Sequence, residues 1–185
     1  MTGKLLYAKF KKILVVGNML GKIEILDKIK KISNKYDHII LNGGMPYNIQ
    51  EIESLNKKMI YILDNNDLIR LTSNDDVINQ WLQLQFNIIV MHFSTRHVII
   101  TNGGIPNSIK CKEDLINNIE TSFVSNIDGK SWHEQYRGGL GYVISNGPLK
   151  ITKPNFFNYS MQLGVMNDVY GQEIEELGLK QTILF

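Results

Sequence analysis

Two closely spaced aspartates carry the clearest metal-binding chemistry in this sequence. Asp64 and Asp67 flank Asn65 and Asn66, and carboxylate and amide oxygens are the ligands that hard divalent cations prefer. The same four residues are also typical of a turn, because Asp and Asn side chains bond to their own backbone. The pattern alone therefore leaves a metal site and an ordinary turn both open.

Other residues with suitable chemistry stand apart from this group. His92 ends an apolar run, where a structural histidine and a metal ligand are both compatible with the pattern. His133 and Arg137 lie close to Trp132, in a segment that suits either of two roles. One is anion binding through a bidentate guanidinium, and the other is a loop held by its aromatic residues.

Composition limits the classes of function. The chain has 185 residues with 43% hydrophobic content and a net charge of +2, which predicts one globular domain and argues against general nucleic-acid binding. No apolar run approaches the ~20 residues needed to cross a bilayer, and no secretion signal is evident. The single cysteine, Cys111, fits a reducing compartment. We therefore expect a cytoplasmic protein that does not bind membranes.

The order of apolar runs and turn residues predicts strands alternating with helices. This alternation is typical of βαβ crossovers and a largely parallel sheet. Ser73 and Asp76 form a capping-box pattern for a helix that runs to residue 84, and residues 86–91 and 97–101 predict a hairpin. The predicted strands are 13–16, 38–41, 58–63, 86–91, 97–101, 140–145, 158–164, 169–175 and 180–185, and the other predicted helices are 22–34, 49–56 and 112–120.

The chain divides into a short arm and one domain. Residues 1–11 interleave lysines with apolar residues, which suits either a surface-packed leader or a basic arm that docks on a partner. Residues 12–185 form the domain. The abundance of Lys, Asn and Ile indicates AT-rich coding, as in a virus, a phage or an AT-rich bacterium, so the compartment is the host cytoplasm, or the virion if a phage encodes the chain.

Five loops at predicted strand ends resemble those of the calcineurin-like metallophosphoesterases, in the small phage and bacterial branch related to serine/threonine phosphatases and diadenosine tetraphosphatases. The family motifs are G-D-x-H-G, L-G-D, G-N-H-D, H-G-G and a later His-Pro. The corresponding segments here are Gly17–Gly21, Leu41–Gly43, Asp64–Asp67, Asn102–Gly104 and Gly147-Pro148. The resemblance covers residues 12–185 and implies a four-layer α/β/β/α sandwich.

The resemblance also implies a chemistry that these residues do not supply. The family uses two divalent metals such as manganese, bridged by an aspartate, to activate a water that attacks phosphorus. Asn65 keeps the family residue type, and Asn66 stands where many members have a catalytic histidine. The positions that have lost a ligand are Asn18, Leu20, Gly43, Asn102 and Gly147. Gly43 takes the place of the bridging aspartate, so we expect no resident metal and no other cofactor.

The resemblance therefore predicts a pseudoenzyme: a phosphatase-like scaffold with a binding, structural or regulatory role, acting through a protein partner in, for example, a phage assembly. One alternative is an active phosphoesterase with a rebuilt single-metal site. A second alternative is a metal-free nucleotide or phosphate binder. The first alternative uses Asp64, Asn65, Asp67 and His92; the second uses Asn18, Asn65, Asn102 and Arg137. Returning the five lost positions to the family residues is predicted to restore metal binding.

Overall fold

A computed structural model describes residues 5–55, 57–73, 76–93, 96–105, 109–117, 136–146, 153–163, 168–176 and 178–185 of this chain. The strands are β1 (Leu5–Lys9), β2 (Lys12–Val16), β3 (His38–Asn42), β4 (Met59–Ile62), β5 (Ile88–His92), β6 (His97–Thr101), β7 (Tyr142–Ser145), β8 (Asn155–Phe156), β9 (Ser160–Gln162), β10 (Tyr170–Glu175) and β11 (Gly178–Leu184). The helices are α1 (Ile23–Ile32), α2 (Ile49–Glu53), α3 (Asn65–Ser73), α4 (Val77–Leu82) and α5 (Lys112–Asn117), and a 3-10 turn (Ser33–Lys35) follows α1.

The described strands form two mixed sheets. One has the order β11-β10-β2-β3-β4, and the other has the order β1-β5-β6-β7-β9-β8. In the first sheet β2, β3 and β4 are parallel, and β10 is antiparallel to β2. In the second sheet β6, β7 and β9 are parallel, and β5 pairs with β6 in the predicted antiparallel hairpin.

Alternating burial along the strands produces four layers. In β2, Ile13 and Val15 pack into the core between the two sheets, whereas Leu14 and Val16 pack on the opposite face with α1. Successive side chains of a strand point to opposite faces of its sheet, so a strand buried on both faces is apolar throughout. On the outer face of the second sheet, Leu115 of α5 joins a third core cluster. The α/β/β/α sandwich expected from the resemblance is therefore the observed architecture.

The region after β4 differs from the prediction. The sequence predicts one helix beginning at Ser73, but in the structure Ser73 ends α3. The N-cap of the next helix, α4, is Asp76, whose side chain accepts a hydrogen bond from the Asn79 amide. The capping-box prediction was therefore wrong by three residues. The preceding helix α3 was not predicted, because its first residues, Asn65 and Asn66, resemble a turn.

The beginning of the chain also contains an element that the sequence did not predict. Leu5–Lys9 form β1, which lies at the edge of the second sheet and pairs in parallel with β5. Leu6 and Phe10 pack against the core between the sheets. Residues within the segment interpreted as a basic arm thus take part in the sheet. Within the described residues, no helix has the length and apolarity required to cross a lipid bilayer.

Candidate functional site

The carboxyl ends of β2, β3, β6 and β7 meet where the two sheets approach each other. Asn18 follows β2, Asn42 ends β3, Asn102 follows β6 and Asn146 follows β7; we call these four residues the asparagine cluster. The Asn18 backbone amide donates to Asn146 Oδ1 at 3.1 Å, and Asn102 Nδ2 lies 3.4 Å from the Asn42 carbonyl oxygen, to which it donates. Residues at the carboxyl ends of strands from both sheets are therefore hydrogen-bonded to each other.

The asparagine cluster links the sheets through neutral amides. Asn146 Nδ2 also donates to the Asn42 carbonyl oxygen, and Asn42 Nδ2 donates to the Thr101 carbonyl oxygen at 3.0 Å. The side chains of Asn42, Asn102 and Asn146 are buried. Buried polar groups are usually hydrogen-bonded. The Nδ2 groups of these asparagines donate to backbone carbonyl oxygens, whereas Asn42 Oδ1 has no hydrogen-bond partner among the described residues. The cluster therefore stabilises the junction of the sheets without any charged side chain.

Asp64 lies beside this cluster, and both of its carboxylate oxygens accept hydrogen bonds. Oδ1 accepts from the backbone amides of Asn66 at 2.8 Å and Asp67 at 3.1 Å, which is the bonding of an N-cap residue for α3. Oδ2 accepts from the Gly44 amide at 2.7 Å and from Asn18 Nδ2 at 3.4 Å. Four N–H donors thus surround a carboxylate whose residue is only 3% exposed.

Asp67 is completely buried and is held by two tyrosines. The Tyr47 hydroxyl donates to its Oδ1 at 2.9 Å, and the Tyr61 hydroxyl donates to its Oδ2 at 2.7 Å. The Asp64 backbone amide donates to the same Oδ2 at 2.7 Å. Burial, followed by the nearby charge of Asp64, raises the pKa of Asp67 to about 7, although its hydrogen bonds act in the opposite direction.

Gly43 occupies a position in which a side chain meets its neighbours. Its φ is +84°, in the left-handed region that favours glycine. A Cβ built there would lie 2.5 Å from Asn102 Nδ2 and 2.9 Å from the Cβ of Asp64, distances shorter than normal van der Waals contact. The space around Gly43 is therefore already filled by Asp64 and Asn102.

An open cleft of about 610 Å³ lies outside this buried network. Asn18, Leu20, Tyr47, Asp64 and Asn66 contribute to its lining, and the described lining residues include no lysine or arginine. Leu20 has a φ of +58°, an uncommon conformation for a bulky residue, and its amide donates to Asn18 Oδ1 at 2.9 Å. The described lining therefore presents amide, phenolic and apolar groups and the Asp64 carboxylate, rather than cationic groups.

The structure brings together only some of the residues predicted for a site. Asn18, Leu20, Gly43, Asp64, Asn66, Asp67 and Asn102 lie at or next to the cleft, and Asn65 is exposed at the start of α3. Arg137 precedes β7, whereas the asparagine cluster lies at the other end of that strand. His133 and Gly147 lie outside the described residues.

His92 belongs to a different part of the surface. It lines a second cleft, of about 800 Å³, together with Phe10, His38 and Phe93, and its ring centroid lies 4.3 Å from that of His97. His38 begins β3, whereas Asp64 follows the strand next to it, β4, at the opposite end of the sheet. The single-metal site predicted from Asp64, Asn65, Asp67 and His92 is therefore not assembled, because His92 lies apart from the other three.

The donors present at the strand ends do not fit a two-metal centre. Two adjacent dications repel each other and require anionic ligands, but the cluster is neutral, and the oxygens of Asp64 and Asp67 are engaged by protein N–H and O–H groups. Across the part of the chain that the structure describes, no three Asp, Glu, His or Cys side chains are grouped so that they could hold a metal ion.

Comparison with known proteins identifies the fold. A solved structure described as a "putative diadenosine tetraphosphatase" is similar with a TM-score of 0.66 and 13% identity, over 98% of each chain. The hypothetical protein PH1004 from Pyrococcus horikoshii OT3 is similar with a TM-score of 0.53 and 14% identity, over 95% of this chain and 87% of that one. No protein-family model and no curated protein matches the sequence. The chain thus has a phosphoesterase-like fold, in agreement with the metallophosphoesterase resemblance of its strand-end motifs.

Several residues of the site were not singled out from the sequence. They are Asn42 and Asn146, which complete the asparagine cluster, and Tyr47 and Tyr61, which bind Asp67. A signal for the first two is present: an Asn-Gly pair follows the apolar residues of β3, β6 and β7, at 42–43, 102–103 and 146–147. The same dipeptide at three strand ends indicates a shared environment. The tyrosines have no comparable signal.

Proposed function

We propose that this protein is a non-catalytic member of the phosphoesterase-like fold, with a cleft that serves binding instead of phosphoester hydrolysis. The observation that carries the proposal is the bonding of the two carboxylates at the site, those of Asp64 and Asp67. Asp64 is bonded to four N–H groups, and Asp67 is bonded to two tyrosine hydroxyls and one backbone amide. Neither carboxylate is free to act as a metal ligand or a general base without breaking this network.

Electrostatics supports the same proposal. A phosphoester carries negative charge, and its hydrolysis needs positive charge to stabilise the developing oxyanions. The Arg70 guanidinium lies 4.9 Å from the centroid of the Tyr47 ring, but it forms an ion pair with Asp76 and is not among the described lining residues of the cleft. The cleft lining supplies amides, a phenol and one carboxylate, that of Asp64, whose oxygens are already bonded to N–H groups. These groups suit an uncharged, hydrogen-bonding surface such as a segment of a partner protein.

The first prediction concerns activity. We expect the purified protein to hydrolyse a chromogenic phosphoester no faster than buffer does, with or without manganese, and to retain well below one metal ion per chain after dialysis. The reason is that the strand-end amides supply no charge to hold two dications. Absorbance assays and elemental analysis measure the two quantities.

Variants identify the source of any activity that is observed. Asp67→Asn alters the buried carboxylate, and Asp27→Asn alters an exposed aspartate of α1 as the matched control. Manganese-dependent turnover that persists in Asp27→Asn and disappears in a folded Asp67→Asn protein contradicts the proposal and favours an active phosphoesterase.

A further inference from the structure

We propose that Asp64 blocks the position of the missing bridging aspartate, so that restoring the lost ligands does not restore metal binding while Asp64 is present. This inference rests on the proposed function, because it concerns a site that no longer holds metals. The resemblance places glycine at position 64 and aspartate at position 43, whereas this chain has Asp64 and Gly43. In this chain the side chain that fills the space between the two positions comes from position 64, whereas the resemblance places it at position 43.

The exchange has a steric basis. A Cβ at position 43 would lie 2.9 Å from the Cβ of Asp64 and 3.1 Å from its Oδ2. The Cβ of Asp64 is attached directly to the backbone, so it cannot move aside by rotation of a side chain. A carboxylate at position 43 would also lie close to the Asp64 carboxylate, whose Oδ2 is 3.1 Å from this Cβ, and neighbouring carboxylates repel each other.

The hydrogen bonds of Asp64 oppose any rearrangement that makes room. Its carboxylate caps α3 through the amides of Asn66 and Asp67, and it binds the Gly44 amide on the adjacent loop. Moving Asp64 away leaves these three buried or partly buried amides without their acceptor, which is costly for buried donors. Asp64 therefore holds the loop after β3 and the start of α3 together in a form that excludes a side chain at position 43.

Asn102 is a second and weaker obstacle. Its Nδ2 lies 2.5 Å from the Cβ built at Gly43, but this atom is the end of a side chain. In a chain returned to the family ligands, position 102 carries histidine in any case. Asp64, which is not one of the five positions that lost a ligand, is therefore the residue that decides the outcome.

Manganese binding tests this inference directly. One variant carries Asn18→Asp, Leu20→His, Gly43→Asp, Asn102→His and Gly147→His, and a second variant carries the same five changes with Asp64→Gly. We expect the folded six-position variant to bind manganese, as measured by electron paramagnetic resonance and by a rise in Tm, and the five-position variant to bind none. Equal binding by both variants overturns the inference, and so does a folded six-position variant that binds none.

A stability measurement keeps the inference testable if the multiple variants fail to fold. Gly43→Ala and Gly21→Ala each place a Cβ at a positive φ, +84° and +71°, but nothing lies within 4 Å of the Cβ at Gly21. Gly21→Ala therefore measures backbone strain alone. We expect Gly43→Ala to lower the folding equilibrium constant by at least ~10-fold more than Gly21→Ala does, as core overpacking does.

The contribution of Asp64 is isolated in a background that carries Asn102→Ala. In that background, Gly43→Ala is expected to lower the folding equilibrium constant less when Asp64→Gly is also present. We expect the two reductions to differ by at least ~10-fold, because contacting residues are energetically coupled. Equal reductions would show that Asp64 does not obstruct a side chain at position 43. Turnover by the unmodified protein overturns the proposed function on which this inference rests, whereas manganese binding by the five-position variant overturns this inference and leaves the proposed function standing.

Discussion

An asparagine in place of a metal-binding side chain changes more than charge. An amide has two N–H donors, which a carboxylate lacks. Asn102 and Asn146 both use these donors to reach the Asn42 carbonyl oxygen, and a carboxylate at either position would face that oxygen with a repulsive lone pair. Position 102 is one of the five that lack a family ligand and position 146 is not, so only the Asn102 bond is made by a residue that stands in place of a ligand. Both bonds depend on the amide.

The buried carboxylate of Asp67 predicts an unusual pH dependence of stability. Its pKa is about 7 in the folded protein and 3.8 ordinarily, so between these values the folded state binds more protons than the unfolded state. The contribution of Asp67 to the unfolding free energy is therefore greatest below about pH 4, and it falls as the pH rises toward 7. The full shift corresponds to up to about 4 kcal/mol.

Urea unfolding at pH 4.5 and pH 7.5 measures this effect. We expect the loss of unfolding free energy between these two pH values to be smaller in Asp67→Asn than in the unmodified protein by a few kcal/mol. Asp27→Asn, on the exposed face of α1, is the control and is expected to leave the loss unchanged. The same loss in Asp67→Asn as in the unmodified protein would show that Asp67 is charged throughout this range.

At the scale of the elements, the junction between α3 and α4 provides a test of how helices are terminated here. Asp76 accepts a hydrogen bond from the Asn79 amide at 2.8 Å and forms an ion pair with Arg70 of α3. We expect Asp76→Ala to lower the unfolding free energy by ~1 to 2 kcal/mol through loss of the cap. Chemical denaturation measures this change.

Ser73→Ala is the comparison that separates the structure from the sequence prediction. Ser73 ends α3, and the N-cap of the helix that follows is Asp76. Replacement of Ser73 is therefore expected to change the unfolding free energy by no more than ~0.5 kcal/mol. A large effect of Ser73→Ala together with none of Asp76→Ala would support a single helix beginning at Ser73.

The elements that were predicted correctly share a physical cause, and so do those that were not. The runs in β2, β3, β5 and β6 are buried on both faces and consist of β-branched and other apolar residues, so composition alone identifies them. α3 begins with Asn65 and Asn66, whose helical state depends on Asp64 capping two backbone amides. Local preference for a turn and tertiary support for a helix compete there, and only the structure shows which prevails.

Only part of the site was predictable from the sequence. The order of strand-end motifs located Asn18, Gly43, Asp64 and Asn102, because the carboxyl ends of parallel strands meet at one edge of a sheet. The sequence carried no indication that His92 would lie in another cleft, since strand order determines which residues meet. The bond of Tyr47 to Asp67 depends on how the loop after β3 folds back, and the bond of Tyr61 depends on how α3 follows β4. Neither follows from a local pattern.

For the whole molecule, β1 makes the beginning of the chain part of the second sheet. Leu6 and Phe10 pack against the core between the sheets, and β1 covers the edge of β5. Deleting residues 1–11 is expected to lower Tm by roughly 5 to 10 °C, from the burial of two apolar side chains at ~1.5 kcal/mol each. It is also expected to promote association through the uncovered edge of β5.

Calorimetry and light scattering measure these two effects. Lys9→Ala and Lys11→Ala, both at exposed positions, form a control that removes positive charge from the same segment and leaves its strand in place. Deletion with no change in Tm would mean that residues 1–11 are an arm that contributes nothing to the domain.

The crowding between positions 43 and 64 has a consequence for sequence variation in this protein. A Cβ at position 43 would lie 2.9 Å from the Cβ of Asp64, so the residues accepted at the two positions depend on each other. In homologues that keep this loop geometry, we expect a side chain at position 43 to occur only together with glycine at position 64. Glycine at both positions is expected to be tolerated, whereas aspartate at both is expected to be absent.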